Sequence, residues 1–346
     1  MTLGRVCFRL LASGLASSGM GCGASEPPVT EHRVAVFDDT IAVRLVGAGP
    51  DTLVVLHGGP VLGTAYLEHA LRPLAREHAL LVFALRGSPE RRTDPDIASQ
   101  ASDLEAVRSH FLLKRLALVA HDYGAAVAVH YVLAHPEVVD RIVLLGPLYP
   151  RQGYTYDLSR VALDSARTAE FWRALAAGWD TLASAPACER FWGYWLSPAA
   201  VTAPRTVHHV APDICRGQAA YRDGERMQRT AIRSLGHWDW RDSLSLVAAR
   251  TLVVTGTECT RGCATADSVR AAILRHGQAT WAAHLPQGLY LEVEGDPQLP
   301  WVGTVDLSGS ITAFLAGERP EGALQLASPP ATPTPARLEP TPERSQ

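Results

Sequence analysis

The sequence predicts an α/β protein in which a mostly parallel sheet, with helices on both faces, is broken by an inserted helical cap. Three observations carry this. Short, near-continuous apolar runs (Thr52–Leu56, Ala79–Leu85, Leu116–Ala120, Arg141–Leu145, Thr251–Val254) alternate with stretches of helical pattern, as strands buried on both faces of a parallel sheet do. One run stops abruptly at His121-Asp122-Tyr123-Gly124 and passes at once into a helical pattern that reaches about His135. From about Leu148 to Ser245 the chain becomes helical and unusually aromatic, with six of the eight tryptophans.

Taken in order, Val34–Phe37 and Ile41–Leu45 alternate like a hairpin around Asp38-Asp39-Thr40. Thr52–Leu56 reads as a buried strand ending at His57-Gly58-Gly59-Pro60, and a helical stretch covers about Thr64 to His78. The next strand ends at Arg86-Gly87-Ser88; Ile97–Phe111 is helical, with Asp103, Glu105 and Arg108 expected on its outer face. The strand Arg141–Leu145 precedes the cap, residues 148–245. The sheet resumes at Thr251–Val254 and Leu289–Val293, and a last helix spans about Val305 to Leu315. Residues 31–147 and 246–317 therefore make the core, and no internal repeat is evident.

Both ends look non-globular. Residues 1–21 carry Arg5 and Arg9 and then a small, modestly apolar run, as an export signal does. Gly19-Met20-Gly21-Cys22 resembles a bacterial lipoprotein cleavage box, which would make Cys22 a lipidated N-terminus in the cell envelope. An ordinary cleaved signal peptide is the alternative. Residues 318–346 are rich in Pro, Ala, Glu and Thr and are expected to be disordered. With Cys7 and Cys22 set aside, Cys188, Cys215, Cys259 and Cys263 remain, an even number that suggests disulfides in an exported chain. Local pairing is the simplest of three connectivities. A zinc site at Cys259-x3-Cys263 lacks a second ligand pair at recognisable spacing, so no metal or other cofactor is expected.

The chain has 346 residues, 47% of them hydrophobic, and a formal charge of −3. That charge gives no basic excess for nucleic acid, and no later segment offers the ~20 apolar residues of a membrane span. Membrane contact is expected only through the lipid anchor, and the expected partner is a small apolar ligand or substrate. Oligomeric state is not legible.

Strand, tight turn and helix at Leu116–Ala126 give the context of a nucleophile elbow. With His57-Gly58-Gly59-Pro60, Arg86-Gly87-Ser88, Ala120–Ala126, Trp238-Asp239-Trp240-Arg241 and Thr251–Gly256 in this order, the chain resembles the α/β-hydrolase superfamily, in particular prolyl iminopeptidase-like and epoxide hydrolase-like enzymes. The resemblance covers roughly Val34 to Leu315. It implies an oxyanion hole built from the Gly58-Gly59 loop and the Tyr123 amide. It also implies that aromatics of the cap, such as Trp192, Tyr194 and Trp195, line the pocket or form the lid's own core.

Departures from the pattern are more informative. The tip is Asp122 rather than Ser, as in epoxide hydrolases, where the carboxylate attacks an sp3 carbon and a His-activated water hydrolyses the resulting ester. After the strand at 251–256 the family carries an Asp; here Cys259 takes that position and Glu258 lies one residue earlier. In Gly295-Asp296-Pro297-Gln298-Leu299-Pro300-Trp301, Gln298 occupies the slot of the catalytic His, and no histidine follows His284. Gln does not titrate near neutral pH and cannot act as a general base.

Asp122, Glu258 and Gln298 thus read as a vestigial triad. The resemblance implies a very weak or inactive hydrolase that retains a ligand cleft. The alternative is an active enzyme using Asp122 and a non-standard base, with Tyr154, Tyr156, Tyr194 or Tyr221 polarising an epoxide oxygen. His121 is expected to pack under the neighbouring loop, and Asp122 has a purely structural alternative as a cap on the helix that follows.

Overall fold

The computed structural model describes residues 26–60, 62–152, 218–257, 265–294 and 306–327. Eight strands form one sheet: β1 (Val29–Ala35), β2 (Thr40–Val46), β3 (Thr52–Leu56), β4 (Ala79–Phe83), β5 (Leu116–His121), β6 (Val139–Leu145), β7 (Arg250–Gly256) and β8 (Gly288–Val293). Their order is β1-β2-β4-β3-β5-β6-β7-β8. The hairpin β1–β2 and the pair β2–β4 are antiparallel; every later pairing is parallel.

Alternation along the central strands divides the core. Val54, Leu56, Leu118, Ala120, Ile142 and Leu144 face one side. Leu53, Val55, Val119, Val143, Leu145 and Leu252 face the other. The first side is covered by α2 (Ile97–His110), α3 (Gly124–Ala134) and α6 (Thr265–His284). On the second lie α1 (Ala65–Leu71), the 3-10 turn Arg72–Arg76 and α7 (Ser308–Leu315). The predicted fold class therefore holds. The insertion lies between β6 and β7, and it returns to the core through α4 (Gln218–Ser234) and the short α5 (Arg241–Leu244).

Three expectations need correction. The single helix predicted for Thr64–His78 breaks after Leu71, because Pro73 supplies no amide hydrogen to continue an α-helical ladder. Asp103 does not face outward. It is buried, and its carboxylate accepts from Arg86 (Nε, 2.7 Å) and Arg91 (Nη1, 2.7 Å). Arg86 and Arg91 in turn hold Asp38 and Asp39 of the β1–β2 turn, so this cluster fixes the loop after β4. Finally, the chain does not leave the fold at Glu318. Ala323 is buried, and Leu324 and Tyr290 exchange two backbone hydrogen bonds of 2.7 Å on the outer side of β8. Residues 318–327 thus belong to the core, and 328–346 lie outside the described residues.

Removing the charge of Asp103 leaves two buried guanidinium groups with only their more exposed partners Asp38 and Asp39. Because both arginines keep a second carboxylate, Asp103→Asn should lose roughly 2–3 kcal/mol in urea unfolding, below the cost of a fully unpaired buried charge. Asp38→Asn, on a half-exposed partner, should lose clearly less.

Candidate active site

All parallel strands deliver their following loops to one edge of the sheet, where α/β proteins bind ligands. β3 and β5 are neighbours, with Leu56 opposite Ala120, so the His57–Pro60 loop and the elbow emerge side by side. The elbow has the strained conformation its motif implies. Asp122 sits at φ +45, a left-handed conformation uncommon outside Gly but tolerated by Asp and Asn. Gly124 is required by contact: a Cβ there would stand 2.5 Å from the Leu56 carbonyl oxygen and 2.8 Å from that of His57. Gly59, at φ +113, lies against Tyr123, whose Cβ would be 3.0 Å from an added methyl.

The loop and the elbow are also joined through Tyr66 of α1. Its hydroxyl accepts the Gly58 N–H at 2.7 Å and shares a 2.6 Å hydrogen bond with His121 Nδ1. Tyr66 and His121 are both buried. His121 therefore acts below the tip, as expected. Gly58, in contrast, leaves the predicted oxyanion hole, because its donor is spent on Tyr66. The sequence offers no signal for this link. His57 is equally structural: its Nε2 accepts the Leu85 N–H at 2.8 Å, and burial lowers its pKa to about 3, which keeps it neutral.

Asp122 is partly exposed by surface area, yet its carboxyl lies in a poorly solvated setting. Burial pushes its pKa up to about 7, opposed by a hydrogen bond from the Tyr123 N–H. No charged side chain or imidazole among the described residues contributes to that balance. The Tyr123 side chain points inward. Its hydroxyl accepts from Gln100 Nε2 at 3.0 Å and also bonds Ser234 at the end of α4, and burial raises its pKa to about 12.

Asp122, Gly59 and Tyr123 are thus brought together. His284 ends α6 and bonds the Thr280 carbonyl with Nδ1 at 2.8 Å; His237 is exposed beside the base of the cap. Glu258, Cys259, Cys263, Gln298, Cys22, Cys188, Cys215, Trp192, Tyr194, Trp195, Tyr154 and Tyr156 lie outside the described residues. Tyr221 belongs to α4. Among the described residues, no group of three or more His, Cys, Asp or Glu could hold a metal ion. No helix there is long and apolar enough to cross a membrane.

Residues 51–184 match the family model described as the alpha/beta hydrolase fold. The sheet order, the elbow and the neighbouring glycine loop agree with that match. The chain has the α/β-hydrolase fold. An uncharacterized protein of Mycobacterium tuberculosis is 29% identical over 123 residues, 34% of this chain and 35% of that protein. Epoxide hydrolase 2 of Caenorhabditis elegans is 27% identical over 121 residues, 32% of this chain and 33% of its own. The match thus spans about a third of the length of these curated relatives. Among solved structures, a thermophilic esterase from Thermogutta terrifontis superposes with TM-score 0.59 at 15% identity, covering 83% of this chain and 98% of the esterase. The proline iminopeptidase of Mycobacterium smegmatis does so with TM-score 0.56 at 15% identity, covering 83% and 98%. At such identity these two show the fold.

A carboxyl whose pKa rises from 3.8 to about 7 on folding keeps a proton that the unfolded chain releases. The fold therefore loses stability as pH climbs from about 4 to about 7, and the full cost stands above that range. Asp122→Asn removes the charge and suits the positive φ. Its melting temperature should exceed that of the native protein at pH 8, by the equivalent of roughly 2 kcal/mol after allowance for partial exposure. The two should nearly coincide at pH 4.

Proposed function

We propose that this α/β-hydrolase relative holds a small apolar electrophile or ligand beside Asp122 and turns it over very slowly at most. One observation carries the reading: the elbow carboxyl is desolvated, and no cation or imidazole among the described residues assists it. Two sequence features support it, Gln298 in the His slot and Cys259 in the acid slot. The N-terminal 21 residues and Cys22 further support export and lipid anchoring.

The chemistry follows from the carboxylate. An Asp122 oxygen bonds to an epoxide carbon as that carbon's ring C–O bond breaks. The freed alkoxide takes a proton from water or a nearby hydroxyl, which leaves a hydroxyalkyl ester on Asp122. Hydrolysis of this ester requires a deprotonated water, and the loss of general-base assistance typically costs about 10²–10⁴-fold in rate. Acyl substrates gain no comparable route from Asp in place of Ser. The alternative, an active enzyme of the epoxide hydrolase type, is favoured by the tip residue and by the sequence match to epoxide hydrolases. It needs a base from outside the described residues.

Incubation with styrene-type epoxides, followed by intact-protein mass spectrometry, should give a stable adduct on Asp122 without sustained product. The adduct should form faster as pH rises through about 7, where the carboxyl ionises. Asp122→Asn should give none. Steady product without adduct would favour the active enzyme, and no reaction of either kind would leave only ligand binding.

A further inference from the structure

The base of the cap carries an arrangement that the mechanism above does not use. Immediately after β6 the chain runs through Leu148 to Gln152, and Trp238 to Trp240 return beside it. The two segments form a short antiparallel neck. Gln152 N–H donates to the Trp238 carbonyl and Trp240 N–H to the Pro150 carbonyl, both at 2.9 Å. Arg151 pairs with Asp239 between them.

Helix α6 grips this neck with two residues one turn apart. Gly277 has no side chain, and the Tyr149 ring lies in the space a Cβ would fill, 2.2 Å from its position. Trp281, fully buried, donates its indole N–H to the Leu148 carbonyl at 2.7 Å. Its ring packs 5.6 Å from Trp240, which packs 6.0 Å from Trp238. The Trp238 indole donates to the Tyr149 carbonyl at 3.2 Å.

Leu148 is gripped from the other side by the elbow. Its N–H donates to the backbone carbonyl of Asp122 at 3.3 Å, the same oxygen that takes the Ala125 N–H at 3.1 Å. A single residue thus bridges a buried indole and the peptide unit that carries the candidate nucleophile. We propose that Trp281 is a positioning residue for Asp122: through Leu148 it fixes the elbow carbonyl, and it makes the neck of the cap and the elbow one rigid unit. The inference rests on Asp122 as the reactive group, but the contacts themselves do not depend on any turnover.

The physical reason lies in the strain at the tip. Asp122 holds φ +45 only because surrounding contacts fix its peptide units on both sides. Freeing Leu148 removes one of the two donors that the described residues place on the Asp122 carbonyl. The tip can then relax toward solvent, and the carboxyl regains water. Trp240 shares the aromatic packing without that indole-to-Leu148 hydrogen bond, so it serves as the internal control.

The experiment is a titration of the Asp122 carboxyl by carbon-13 NMR, assigned by difference against Asp122→Asn, in native protein, Trp281→Phe and Trp240→Phe. The native midpoint should fall near 7. Trp281→Phe should move it down by at least about one pH unit, a tenfold change in the ionisation constant, and should slow epoxide adduct formation about tenfold at pH 8.5, where both proteins are ionised. Trp240→Phe should leave the midpoint in place whatever it does to melting temperature. An unmoved midpoint in Trp281→Phe, or an equal shift in both variants, would overturn the proposal. If the native protein forms no adduct with any epoxide, the electrophile-capture reading fails while the titration still decides this inference. Should Trp281→Phe not fold, hydrogen exchange in native protein decides it: the Leu148 amide and the Trp281 indole should be released in one opening event. Separate openings would sink the idea.

Discussion

The site depends on one close approach, that of Gly124 to the carbonyl ends of Leu56 and His57. A single added carbon at Gly124 would be driven into both oxygens. Because that space is open, α3 starts directly over the end of β3, and β5 turns through Asp122 at positive φ to meet it. Every later contact inherits this geometry. Gly59 can lie against Tyr123, Tyr66 can span Gly58 and His121, and Leu148 can reach the Asp122 carbonyl. The elbow is therefore where the sheet, the glycine loop and the neck of the cap are fastened together.

The molecule treats its buried charges in two opposite ways. Behind the β1–β2 turn, Arg86 and Arg91 meet Asp38, Asp39 and Asp103, so burial is offset by paired, charge-assisted hydrogen bonds. At the tip of the elbow, the carboxyl of Asp122 has, among the described residues, the N–H of the next residue and no countercharge. Desolvation without a countercharge raises a carboxyl pKa and destabilises its ionised form. The same effect would favour attack by an ionised Asp122 in the proposed reaction, because little solvation has to be shed first. Fewer molecules carry the charge at neutral pH, and under the proposed function those are the ones that would attack.

Much of this was legible in the sequence. The strand–helix alternation, the elbow, the tip carboxylate and the glycine loop are local patterns, set by residues adjacent in the chain, and they emerge where expected. Links between distant segments left no such trace. Nothing in the sequence singles out Tyr66 within the helical stretch after the glycine loop, yet it takes a donor that the loop motif alone assigns to the oxyanion hole. Asp103 follows the spacing of an outward position, but two arginines from the loop after β4 turn it inward. Trp281 lies more than a hundred residues from Leu148, and its only local mark is Gly277 one turn earlier. The Pro-rich composition after Glu318 hid a bond pair to Tyr290, because composition says nothing about an open sheet edge nearby.

Donor supply at the elbow bears on which reactions the site suits. An acyl-transfer site must keep its amides free for an oxyanion that develops outside the nucleophile. Here the Gly58 N–H is held by Tyr66, and the Tyr123 N–H bonds the carboxyl of Asp122 itself. The hydrogen bond that stabilises the tip thus removes a donor from any incoming carbonyl. Alkylation at an sp3 carbon has no such conflict, since negative charge leaves the Asp122 carboxylate and develops on the departing oxygen. An ester on Asp122 would weaken the hold on the Tyr123 N–H, freeing that donor only after the first step. Under the proposed alkylation, this geometry would put capture first and leave oxyanion support to the hydrolysis that follows.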